Sequence, residues 1–175
     1  MSAVKQFDNA LRILDSLEEK ENSKYTYWWA RSIIYFSKGD YKALSASTES
    51  MLSLMPSTSQ IVVDMAKDLH SKFYRAEAEA LLRNVRVYDD GNNYAVFWLA
   101  WALFEQGKNE DALYHFDLCL QRFTQGYEAG RCHAGKGFIF VNNGRYSEAI
   151  SEFTISLEIL PDQEDVQKSL NQLMP

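Results

Sequence analysis

NNGRYSEAI (142–150), EQGKNEDAL (105–113) and SKGDYKAL (37–44) can be laid over one another. In each, a glycine closes one helical pattern, two or three polar residues follow, and another helical pattern begins. Glycine suits that place because a helix commonly ends on a left-handed residue. Gly39 and Gly107 are 68 residues apart, and Gly107 and Gly144 are 37 apart. A helix–turn–helix period of 34 residues accounts for the first spacing. It accounts for the second if a three-residue insertion lies in the loop around Thr124 to Gly130. The first spacing then demands a hidden unit at 59–92. Met65, Ala66 and Leu69 supply its first helix, and Ala78 and Leu82 its second. Phe73 takes the glycine place there, so that turn is expected to need a different geometry.

The rest of the chain agrees with helices throughout. Prolines occur only at 56, 161 and 175, and no alternating Val/Ile/Thr runs argue for strands. The expected class is all-α. At 175 residues, 46% apolar and 24% charged, the chain suits one soluble domain with a continuous core. A net charge of −6 without any Lys/Arg-dense stretch excludes an electrostatic footprint for nucleic acid. The acidic residues gathered near the end, from Glu148 to Asp165, read as a solvated surface. YAVFWLAWALF (94–104) carries no charge, but it is far short of the roughly 20 residues that span a membrane. The N-terminal stretch lacks a long apolar core behind a basic start, so it does not read as a signal peptide. Two cysteines make no disulfide framework of the secreted kind. A cytoplasmic protein is the expectation.

The repeat resembles the tetratricopeptide repeat (TPR), whose unit carries W-x2-L-G-x2-Y, then A-x3-F, then P. In the first complete unit Trp28, Ser32 and Tyr35 fall on the W, G and Y places and Pro56 on the P, with Arg31 in place of Leu. Leu99, Ala100, Leu103, Ala112 and Phe116 fit the third unit. Gly137, Phe140, Ala149, Phe153 and Pro161 fit the last, with His133 where Trp would be. Phe7, Ala10, Leu14 and Leu17 resemble the second helix of a leading half-repeat. The resemblance implies a single right-handed α-solenoid over 1–175. Its parts would be a half-repeat helix (1–24), repeats at 25–58, 59–92 (degenerate), 93–129 and 130–163, and a capping helix (164–175). Asp162 could cap that last helix, whose apolar stripe is Val166, Leu170 and Leu173.

On a helical wheel Val96, Leu99, Ala100 and Leu103 fall on one side of 94–104, and Tyr94, Phe97, Trp98, Trp101 and Phe104 on another. Two apolar sides need covering twice. In the TPR family the first helix of each pair lines a concave face that holds a partner. Carried over, that face would present Trp29, Ile33 and Phe36 from the first unit and His70 from the second. Tyr94, Phe97, Trp98, Trp101 and Phe104 would join from the third, with Phe138 from the fourth. The family's carboxylate clamp uses Lys and Asn, where Trp29 and Ile33 stand here, so an adaptor for Hsp70/Hsp90 tails is disfavoured. The implied partner is another protein: a peptide or amphipathic helix with bulky apolar anchors. Internal coverage, including a homodimer through the groove or the N-terminal half-repeat, is the alternative use of these aromatics. A dedicated secretion-type chaperone, similar in layout, and a subunit of a larger assembly are rival roles.

His115, Cys119, Cys132 and His133 form a zinc-type ligand set, but adjacent Cys132 and His133 point about 100° apart on a helix. Small core residues are the reading of both cysteines, ahead of either zinc or a disulfide. His70 has no nucleophile or carboxylate placed to make it a catalyst. SASTES (45–50) reads as small-residue packing in a second helix, with phosphorylation a lesser idea. No enzyme, cofactor or metal is expected.

Overall fold

A computed structural model describes residues 3–16 and 24–174; Leu17 of the expected half-repeat falls outside them. The described residues form ten α-helices and one short 3-10 turn, with no strand. They group into two compact units, Met1–Ala95 and Val96–Pro175.

The first unit holds α1 (Ala3–Asp15), α2 (Tyr25–Lys38), α3 (Tyr41–Leu54), α4 (Ser59–Ser71) and α5 (Arg75–Tyr88). The sequence of α2, YTYWWARSIIYFSK, is rich in aromatic and β-branched residues that favour helix only weakly, so packing holds it. Arg31, which stands where the TPR pattern has Leu, joins this helix to its neighbour. Its guanidinium donates to Tyr27 Oη at 2.9 Å, to Tyr35 Oη at 2.6 Å and to Asp15 of α1. Lys38 donates to Asp8 at 2.8 Å, and Leu11 of α1 is buried. Ser47 and Thr48 are buried, and Thr48 Oγ1 donates to the Ser45 carbonyl at 2.9 Å. Ser47 and Thr48 of the SASTES run thus pack inward, while Ala46 and Glu49 are exposed.

All four helix–turn–helix corners close in the same way. At Gly39 the residue's own N–H bonds back to the Phe36 carbonyl and the next N–H to the Tyr35 carbonyl. Gly107 and Gly144 repeat that paired pattern, which satisfies carbonyls the helix end would otherwise leave open. Phe73 repeats it too: its N–H reaches His70 O at 3.0 Å, and the N–H of Tyr74 reaches Leu69 O at 2.9 Å. The different geometry expected at Phe73 is thus corrected. Its φ is 68°, beside 77°, 74° and 71° at the three glycines. The turn kept its shape and placed an L-residue in left-handed space, at about 1–2 kcal/mol. Phe73 recovers little of that, being 74% exposed with only the Arg75 guanidinium 4.7 Å from its ring. Phe73→Gly should therefore raise stability by about 1 kcal/mol and Tm by about 2–4 °C in dilute solution, read by thermal denaturation. A fall in Tm would contradict this account of the turn.

The second unit contains α6 from Val96 onward (Asn93–Phe104 in full), α7 (Asn109–Arg122), α8 (Gly126–Asn142), α9 (Tyr146–Ile159) and α10 (Glu164–Leu173). Its packing depends on glycines in α8. An added Cβ at Gly135 would lie 2.3 Å from the Phe116 ring, and one at Gly137 2.4 Å from the Phe153 ring. Both rings are fully buried. Cys119 and Cys132 are buried as expected, but the reading of them as separate small side chains is corrected: they form a disulfide joining α7 to α8. The capping expectation at Asp162 is corrected as well. Gln163 occupies the N-cap, and its side chain makes no cap bond to α10. Its amide donates instead to Ser156 Oγ at 2.7 Å and to the Leu160 carbonyl at 2.9 Å. Arg131 then donates to both Gln163 and Asp165. So fixed, α10 buries Val166 and packs Leu170 and Leu173 against the cluster around Phe140 and Phe153.

Candidate functional site

In the first unit the residues expected to meet a partner are largely accessible. Trp29 and Ile33, one turn apart on α2, are each 41% exposed. Phe36, one turn further, is half-buried, and the Lys72 ammonium lies 5.8 Å from its ring centre. His70 of α4 is half-buried and Tyr94 exposed.

The second unit treats its share differently. Phe97 is 3% and Trp101 8% exposed. Trp101 sets its edge against Phe116 with ring centres 5.4 Å apart, and Arg131 lies 4.9 Å from the Trp101 ring. Phe97 meets Trp98 at 5.2 Å and Tyr127 at 6.3 Å. Phe104 stacks on Phe138 at 6.3 Å, and Phe138 packs edge-on to Phe153 at 5.1 Å. Trp98, Phe104 and Phe138 are half-buried. The second apolar side of 94–104 is thus covered in good part by Arg131, Tyr127 and Phe138, which α8 supplies. The helical wheel gave the direction of these side chains and not the reach of a longer neighbouring helix.

One charged cluster was not foreseen. Lys136 donates to Glu152 at 2.7 Å and to Asp117 at 2.9 Å, while His133 Nδ1 lies 2.6 Å from the other Glu152 oxygen. This is what His133 does in the tryptophan place: it bonds across to α9. Burial lowers the Lys136 pKa, but its bonds to Glu152 and Asp117 outweigh that and raise it. Burial likewise raises the Glu152 pKa, and the bonds from His133 and Lys136 outweigh it and hold the group below 4.5. Both directions favour the charged pair, opposite to those needed by an amine nucleophile or a general acid. For Glu152 the folded pKa lies below the unfolded one. Its contribution is therefore complete above the unfolded value and lost as pH falls through the folded value. Glu152→Gln should accordingly lose less stability than wild type between about pH 5 and about pH 3, as followed by urea denaturation. Identical acid limbs would contradict the assignment.

Among the described residues no group of three or more His, Cys, Asp or Glu is placed to hold a metal. No helix there is long and apolar enough to cross a membrane.

A tetratricopeptide-repeat profile matches residues 75–127. The fold is that of the tetratricopeptide repeat. Solved TPR structures match most of the chain. YrrB, described as a TPR protein with an unusual peptide-binding site, aligns with TM-score 0.63 at 17% identity, over 95% of this chain and 84% of its own. A MamA structure aligns with TM-score 0.66 at 16% identity, over 85% and 80%. MamA 41-end from Desulfovibrio magneticus RS-1 gives 0.56 at 18%, over 91% and 88%. At such identities the TPR likeness speaks for the fold alone. No curated protein matches the chain.

Proposed function

We propose that this TPR protein is a non-enzymatic scaffold or adaptor that binds a peptide or amphipathic helix through exposed aromatic and aliphatic side chains of its first helices. The observation that carries this reading is the Trp29–Ile33 pair, two large apolar side chains one turn apart on α2 and both substantially open to solvent. An amphipathic partner helix presents anchors at the same one-turn spacing, and Trp is a favoured energetic anchor. Tyr94 and the half-buried Phe36 and His70, all of the same unit, would extend the contact. Phe97 and Trp101 are buried within the second unit and are not proposed as contacts. The peptide site described for YrrB is in keeping with such a use of the fold. A reducing cytoplasm suits the Cys119–Cys132 disulfide poorly, so an oxidising compartment is the better setting.

Display selection of random peptides on the immobilised full chain tests the reading. Enrichment of sequences with bulky apolar residues at i, i+3 or i+4, and i+7 is the expected result. Enrichment of acidic or cationic sequences without such anchors would contradict it.

A further inference from the structure

The corner at Phe73 combines a backbone the residue is poorly suited to with a ring left in solvent. Strained positions of this kind persist where the side chain has a use. Beside Phe73 stand Lys72, paired with Asp68 at 2.6 Å, and Arg75, whose guanidinium lies 4.7 Å from the ring, so the tip of the corner is an aromatic knob with Arg75 against it. Next to it lies an open cleft of about 890 Å³ between α3 and α5, belonging to the same unit. Tyr41 lines the near end and pairs with Tyr74 at 4.9 Å, which places knob and cleft side by side. Both helices start at the corner edge and run away from it. The far end of the cleft is therefore the part lined by Ala46, Glu49 and Ala80: two small side chains and a carboxylate.

We infer that the Met1–Ala95 unit is a self-association module, in which Phe73 of one copy seats at the far end of the α3–α5 cleft of a second copy. A knob and a cleft on one surface satisfy the requirement of a two-fold interface, where each copy supplies both halves. The small side chains of Ala46 and Ala80 leave room for the ring. Glu49 meets Arg75 beside it, so the charges are complementary when the two surfaces face each other. The near end of the cleft carries charges of both signs, Lys38 and Lys42 beside Asp40 and Glu77, whereas Glu49 is the one charged side chain lining the far end. This surface is separate from the Trp29–Ile33 pair, and its use does not depend on the partner proposed above.

Sedimentation velocity of the full chain from about 5 to about 200 µM decides the matter. Wild type should show a concentration-dependent dimer. Phe73→Gly restores the residue of the three sister corners and so should leave the fold intact; it should weaken the dimer at least about tenfold. Glu49→Lys should weaken it similarly, and Glu49→Lys combined with Arg75→Glu should restore it. Wild type that remains monomeric across the range overturns the proposal. So does a dimer that Phe73→Gly or Glu49→Lys leaves unchanged, or a charge swap that restores nothing.

Discussion

Gly137→Ala is expected to lower stability by about 2–3 kcal/mol and Tm by about 4–10 °C. The sign is the informative part. In an open helix interior the same change stabilises, since alanine is favoured over glycine by about 1 kcal/mol. Here the new Cβ would lie 2.4 and 2.5 Å from two atoms of the Phe153 ring. Phe153 is fully buried and hemmed by Phe138 at 5.1 Å, so the ring cannot yield without pushing α9 from α8. Gly135→Ala meets Phe116 in the same manner, at 2.3 Å. Gly91→Ala in the first unit is a useful control, because its Cβ would approach only an Asp89 carboxylate oxygen, at 3.4 Å. Chemical denaturation of the three variants provides the measurement. A stabilised Gly137→Ala would contradict the packing described for α8.

Removing the Cys119–Cys132 bond should be comparably severe. The bond closes a loop across 13 positions of sequence, and a loop of that size corresponds to about 3 kcal/mol of restricted unfolded chain. Cys119→Ala/Cys132→Ala should thus lose about 2–4 kcal/mol, part of it from packing, and should melt identically with and without a thiol reductant. Wild type should melt lower once reduced. Thiol titration of the unfolded, unreduced chain should find none, and of the reduced chain two. Two reactive thiols in the unreduced protein would remove both the bond and the argument for an oxidising compartment.

The contrast between these two features shows what the residues alone could convey. Gly137 and Phe153 fall in the repeat pattern, and the helical class was readable from the same spacing; the contact between the two shows only in the packing of α8 on α9. The disulfide was not. Spacing put Cys119 and Cys132 on two helices, but whether their Cα atoms come within bonding range (6.8 Å) depends on how those helices pack. Phe73 misled for a different reason. Residue preference argues against φ above zero for a bulky side chain, yet the paired hydrogen bonds of the corner impose that φ regardless. The aromatic helix misled in a third way. Its wheel shows two apolar sides, while the burial of Phe97 and Trp101 is decided by Arg131, Tyr127 and Phe116, residues far along the chain. Arg31 and His133 looked like departures from the pattern. Each proves to be a polar tie, one to α1 and the other to α9.

On the function proposed above, open side chains of α2 grip a protein partner. A fluorescence-anisotropy titration of a selected, labelled peptide against wild type and Trp29→Ala/Ile33→Ala measures that grip. The two side chains are partly exposed, so circular dichroism should show the variant folded. A loss of affinity of about 2–4 kcal/mol, or roughly 30-fold to 1,000-fold, is the predicted result. Equal affinity of the folded variant and wild type would show that the partner binds elsewhere.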